Sequence, residues 1–291
     1  MTIRILATLA VVLLANLSAH AQQTAPSRLD EIVKRGTLRV GMTGDYKPFT
    51  YLDKTTQQFS GFDVDMAEAL GKALGVKVEF VPTAWPKLMK DFEADQFDIA
   101  MGGVSVTLDR QKKGFFSTPI MREGKTPIAR CADVGKYQSI TDIDKKGTRV
   151  IVNPGGTNER FARANIKDAD ITVFPDNTVI FDEIAKGNAD LMMTDASETR
   201  YQQKQHQGVL CAVHPDKPFD FSEKAYWLQR DMALKAFVDQ WLHISMQDGS
   251  YKKIYAAWFD WGRVLLSLVP AKLWTGSGVI EPETQKPRLI R

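Results

Sequence analysis

The chain has 291 residues, 25 % of them charged, with a formal net charge of only +3 and the signs interspersed, which argues against a nucleic-acid footprint. No apolar run, neither 5–17 nor 264–269, reaches the about 20 residues that a membrane-spanning helix needs, so membrane insertion is not expected. Two cysteines and four histidines lack metal-ligand spacing, and neither a metal nor a cofactor is expected.

Met1-Thr2-Ile3-Arg4, an apolar run to Leu17 and Ser18-Ala19-His20-Ala21 have the three parts of a secretory leader, so residues 1–21 are read as a signal peptide. The mature protein is then expected in the periplasm. In chain order, Ser27 N-caps a short helix that ends at Gly36, and a strand follows over 37–42. Gly61-Phe62-Asp63 opens a helix with Met66, Ala67, Leu70 and Leu74 on one face and Gly75 as its cap. A strand over 76–81, a helix over 85–92 and a strand over 97–101 complete this stretch, which Gly102-Gly103 ends. The same grammar returns as strand 148–152, turn Gly155-Gly156, helix 158–165, strand 171–174, helix 179–184 and strand 190–193. Later come a strand over 224–229, a helix over 232–246 capped by Gly249, and a helix over 251–259.

Alternating strands and helices predict an α/β protein with mainly parallel sheets. Residues 92–100 and 184–192 echo each other, each a helix end, a turn and an apolar strand, as two similar lobes would. The expected division is 28–126 plus 218–261 for a discontinuous first lobe, 127–217 for the second, and 262–291 for a tail. A ligand cleft between the lobes follows. Cys131 and Cys211 are expected near lobe boundaries; an oxidising compartment favours a disulfide between them, and two buried thiols are the other reading.

Gly44-Asp45-Tyr46-Lys47-Pro48-Phe49, Gly61-Phe62-Asp63-Val64-Asp65-Met66-Ala67, Ser105-Val106-Thr107-Leu108-Asp109-Arg110, Phe116-Ser117-Thr118-Pro119 and Gly155-Gly156-Thr157 together resemble the periplasmic polar-amino-acid-binding proteins over nearly all of 29–259. The resemblance implies a type II periplasmic-binding-protein fold of two α/β lobes. A narrower resemblance, to the cyclohexadienyl dehydratases, rests on Thr83-Ala84-Trp85-Pro86, Arg122-Glu123-Gly124-Lys125-Thr126-Pro127, Val152-Asn153-Pro154-Gly155-Gly156-Thr157-Asn158-Glu159 and Met193-Thr194-Asp195-Ala196-Ser197-Glu198. It implies removal of water and carbon dioxide from prephenate to give phenylpyruvate, and from L-arogenate to give L-phenylalanine.

A substrate with two carboxylates, a diene ring and a leaving hydroxyl needs cations, an apolar wall and an acid. The resemblance assigns Arg110, after the turn that holds Ser105, to a ligand carboxylate; a surface arginine is the bland alternative. Lys125, at the crossing between lobes, is a candidate for the second carboxylate or simply a solvated lysine. Asn153, Gly156 and Thr157 precede or open a helix whose amides can hold an anion. Trp85 is a candidate cleft wall, although tryptophan is more often core.

Asp195 ends a strand where amino-acid binders keep an acid for the ligand's ammonium, and Glu198 lies roughly one helical turn on. Both carboxyls are expected to face one cleft. Glu198 is the expected general acid, protonated through burial and a neighbouring carboxylate; otherwise it only favours the helix dipole. Asp45 is expected to orient the substrate hydroxyl or the acid. The competing function is a solute-binding protein that delivers an amino acid to a membrane transporter, and an extracytoplasmic sensor is a third. A small-molecule substrate is the expected partner, and the resemblance allows a homo-oligomer.

Overall fold

A computed structural model describes residues 26–259; the leader and the tail read from the sequence lie outside the described residues. The first sheet runs Lys77–Pro82, Thr37–Met42, Ile99–Ala100, Trp227–Leu228, Phe115–Phe116, and the second Asp170–Val173, Arg149–Val152, Leu191–Asp195, Lys125–Arg130, Leu210–Ala212. In each sheet the first three strands are parallel, and the fourth, which arrives from the other half of the chain, is antiparallel to both neighbours. The sheets are therefore mixed rather than mainly parallel, because a strand that enters from the opposite lobe runs back against its neighbours. Their matching orders are the structural form of the internal echo. A ribbon of Met121–Glu123 and Ser222–Lys224 joins the lobes.

Local signals set the elements. Ser27 and Asp30 form a reciprocal capping box on Arg28–Arg35, and Gly36 closes that helix at φ 72°. Gly61 has φ 138°, and a Cβ there would lie 2.2 Å from the Phe49 carbonyl oxygen, so only glycine fits. The helix Phe62–Leu74 buries Phe62, Met66, Ala67 and Leu70 at helical spacing. Its Asp63 accepts the Gly102 and Gly103 amides at 2.8 and 2.6 Å and so fixes the loop that borders the cleft.

Several predicted elements differ in extent. The helix expected over 85–92 is Leu88–Glu93, which leaves Trp85 in the turn before it, while 224–229 splits into Ser222–Lys224 and Trp227–Leu228. The split lets one segment serve first the ribbon between lobes and then the first sheet.

Cys131 and Cys211 form a disulfide. It lies not at a lobe boundary but at the edge of the second sheet, because the six-residue strand Lys125–Arg130 carries the chain away from the crossing before Cys131. The bond closes a loop of sequence separation 80, so the double variant Cys131→Ala, Cys211→Ala is expected to lose roughly 2–5 kcal/mol in urea unfolding.

Candidate active site

The two strands that cross between lobes each deliver a lysine to the cleft. Lys125 opens Lys125–Arg130 and pairs in antiparallel register with Asp195, the last residue of Leu191–Asp195, so the two side chains share a face. Lys224 ends Ser222–Lys224 and approaches the same carboxylate from the first lobe. Lys125 Nζ donates to Asp195 Oδ1 at 2.7 Å, Lys224 Nζ to Oδ2 at 2.7 Å, and the Tyr46 hydroxyl to Oδ2 at 2.6 Å. All four residues are no more than 3 % exposed. Burial pushes the Asp195 carboxyl up, but the two ammonium groups outweigh it and hold it well below the usual carboxylate range.

Each lysine has further partners. Lys125 Nζ also donates to Thr157 Oγ1 at 2.9 Å and Asn158 Oδ1 at 2.5 Å, which engages all three of its N–H groups within the protein. Lys224 Nζ donates to Ser105 Oγ at 2.9 Å, and Glu123 lies 3.5 Å away on the ribbon side. Burial pushes the Lys125 ammonium down, and the facing Asp195 offsets this only in part. For Lys224, burial also pushes down, but Asp195 and Glu123 outweigh it and raise the net value.

Asp195 is the N-cap of Ala196–Gln205, yet its side chain makes no capping bond because the lysines hold it. Glu123 supplies one instead, accepting the Ser197 amide at 2.8 Å. Glu198 occupies the first turn of the same helix and is 1 % exposed. Thr194 Oγ1 donates to Glu198 Oε2 at 2.5 Å and accepts from Asn158 Nδ2 at 3.0 Å. Burial pushes the Glu198 carboxyl up to about 8, helped by the charges of Asp195 and Asp45 and opposed by the Thr194 bond. The acid therefore keeps its proton at neutral pH. Burial likewise brings Asp45 up to about 6.

The structure brings most of the predicted residues to two adjoining cavities. The first is bordered by Trp85, Ser105, Asn153, Gly156, Thr157 and Asp195, together with Tyr46 and Lys224. Trp85 meets Tyr46 edge to face at 5.8 Å and lies 6.0 Å from the Arg110 guanidinium. Arg110 is 5 % exposed and donates from Nη1 to the Ser105 carbonyl at 2.8 Å; burial lowers it to about 10. Gly155, at φ 73°, comes so close to Pro86 that a Cβ would lie 2.7 Å from its Cα, and this brings the helix turn of the second lobe against the first.

Three expectations are corrected, the first being Arg110, which borders neither cavity. Glu198 does not border the first cavity: Thr194 draws its carboxyl to a second one, shared with Asp45 and His206, and Asn177 borders both. Lys125 does not border the first cavity either, since its donors are engaged inside the protein, and the ammonium that does is that of Lys224. Sequence reading missed Lys224, Tyr46, Glu123, Asn158, Thr194 and Asn177. Tyr46, Glu123, Asn158 and Thr194 sit inside motifs already singled out, but nothing local marks Lys224 or Asn177. Among the described residues no group of histidine, cysteine or carboxylate side chains is arranged to hold a metal ion.

The family model for bacterial extracellular solute-binding proteins, family 3, matches residues 38–260. Cyclohexadienyl dehydratase of Pseudomonas aeruginosa is 53 % identical over 252 residues, which cover 87 % of this chain and 93 % of that protein. The L-cystine-binding protein TcyJ of Escherichia coli is 26 % identical over 257 residues, covering 88 % of this chain and 94 % of that protein. Among solved structures, an ancestral amino acid-binding protein described as a precursor of cyclohexadienyl dehydratase matches with a TM-score of 0.74 at 40 % identity, covering 80 % of this chain and 100 % of its own. An ancestral cyclohexadienyl dehydratase matches with a TM-score of 0.52 at 55 % identity, covering 83 % and 100 %.

Proposed function

The chain belongs to the bacterial extracellular solute-binding proteins of family 3, and we propose that on this scaffold it is a cyclohexadienyl dehydratase. It is a carbon–oxygen lyase that converts prephenate to phenylpyruvate, and L-arogenate to L-phenylalanine, with loss of water and carbon dioxide. The observation that carries this reading is a buried carboxyl, Glu198, that holds a proton at neutral pH in a cavity adjoining a cleft bordered by the Lys224 ammonium.

In this reading Arg110 takes one substrate carboxylate. The Gly156 and Thr157 end of the helix Thr157–Asn165 takes the other, where the N-terminal amides favour an anion. Trp85 and Tyr46 flank the ring. Lys125 acts through Asp195, which it holds in place. The substrate reaches past Asn177 so that its ring hydroxyl meets the Glu198 carboxyl in the second cavity.

Glu198 then gives its proton to that hydroxyl, which leaves as water. The bond from the ring to its carboxylate breaks, its electron pair enters the ring, and carbon dioxide departs as the ring becomes aromatic. One proton is consumed in each turnover, so Glu198 is reloaded from solvent, and Asp45 and His206 share its cavity. Above about pH 6 an ionised Asp45 helps to keep Glu198 protonated. The reaction takes place in the periplasm, with residues 1–21 as the leader, and the disulfide accords with an oxidising compartment. The two lobes are proposed as 28–126 plus 218–261, and 127–217.

Purified mature protein incubated with prephenate should form phenylpyruvate, followed by its absorbance in base; a folded protein with no turnover above the spontaneous rate would sink this reading and leave the amino-acid-binding one. Because the acid form of Glu198 is the active one, kcat is expected to hold its plateau below about pH 8 and to fall as pH rises through that value. A kcat that instead rose across pH 7–9 would rule out a protonated carboxyl as the donor.

A further inference from the structure

Prephenate and L-arogenate differ at one position: the first carries a keto oxygen, a hydrogen-bond acceptor, where the second carries an ammonium group, a donor and a charge. We propose that Lys224 sets this site's preference for the keto acid over the amino acid, by engaging the acidic group an ammonium would need and by offering the keto oxygen a donor. The proposal rests on the dehydratase reading and names a selectivity residue within it.

Asp195 is the only carboxylate that borders the first cavity among the described residues. Its oxygens already accept from Lys125, Lys224 and Tyr46 at 2.7, 2.7 and 2.6 Å. An ammonium arriving there would be a third cation around one buried carboxylate, where the low dielectric strengthens the repulsion. A keto oxygen meets the opposite situation. All three Lys125 N–H groups are engaged within the protein, whereas Lys224 Nζ makes two short bonds, to Ser105 and Asp195, with Glu123 no nearer than 3.5 Å and the Tyr46 ring 5.1 Å away, so its third N–H has no short partner. Lys224 is also the lysine that borders the cavity. Glu123 lies behind it on the ribbon and does not border the cavity, so it supports the ammonium's charge without offering itself to the ligand.

A site built to pair with one functional group rejects the analogue that leaves its buried partners mismatched more strongly than a purely apolar pocket does. Lys224→Met removes the charge and one of the two donors to Asp195 Oδ2, leaving that of Tyr46, while Lys224→Arg keeps the charge and a donor. We expect the parent to favour prephenate over L-arogenate in kcat/KM, Lys224→Met to lower that ratio by about tenfold or more, and Lys224→Arg to keep it within about threefold.

Binding of the two products, phenylpyruvate and L-phenylalanine, measured by calorimetry on the same proteins, should shift in the same direction; this arm needs no turnover. Where the methionine variant does not fold, Lys224→Gln replaces it. A parent that favours L-arogenate, or a Lys224→Met that lowers both kcat/KM values equally and leaves the relative affinity of the two products unchanged, overturns the assignment. A parent that turns over neither substrate defeats the dehydratase reading instead, and the calorimetric comparison still decides whether Lys224 discriminates keto from amino acids.

Discussion

Glu198→Gln is expected to lower kcat for prephenate by about 10²–10⁴-fold while changing KM little, the range that a positioned general acid contributes. Glutamine is close to isosteric, and its amide oxygen can still accept the Thr194 hydroxyl bond that glutamate receives at 2.5 Å, so the helix turn and the cavity wall are retained. What disappears is the proton. The side chain is 1 % exposed, so a water molecule does not readily take its place. Steady-state kinetics with prephenate, beside a thermal melt to confirm the fold, checks this. Turnover that survives unchanged would keep the enzyme and move the acid elsewhere, with Asp45, which shares the second cavity, as the group to test next.

The second large effect is on stability. In Asp195→Ala the ammonium groups of Lys125 and Lys224, 2 % and 1 % exposed, lose the carboxylate that lies 2.7 Å from each. Breaking a buried ion pair from one side leaves an uncompensated charge and costs about 3–5 kcal/mol. Here one deletion strands two cations, although Glu123, 3.5 Å from Lys224, softens the loss on that side. For a chain of this size the melting temperature should fall by on the order of 10 °C.

The pH dependence gives a second readout. A buried lysine without its partner has a folded-state pKa depressed below its unfolded value, so its contribution favours the fold at high pH and turns against it as pH falls. The deficit of Asp195→Ala relative to the parent should therefore shrink between pH 7 and pH 10. A deficit that stayed constant over that interval would show that lost packing, not stranded charge, is responsible.

Much of the fold was legible because it is written in local rules. Apolar spacing at three and four residues marked the helix Phe62–Leu74, glycines marked the helix ends at Gly36 and Gly75, and the repeated strand–turn–helix pattern implied two alike lobes. The strand-to-helix junction at Asp195 and Glu198 was legible for the same reason: both residues lie within one short segment whose geometry follows from its own sequence.

Tertiary structure alone decided what those residues do. Lys125 reaches Asp195 because two strands seventy residues apart in sequence pair in antiparallel register, and Lys224 joins them from a ribbon that binds the lobes together. The register of such pairing depends on long-range packing, which no local periodicity records. Burial had the same status: the sequence by itself determined that Glu198 sits in the first turn of a helix, but only the closure of the lobes around it removes the water that would otherwise keep its carboxyl ionised at neutral pH.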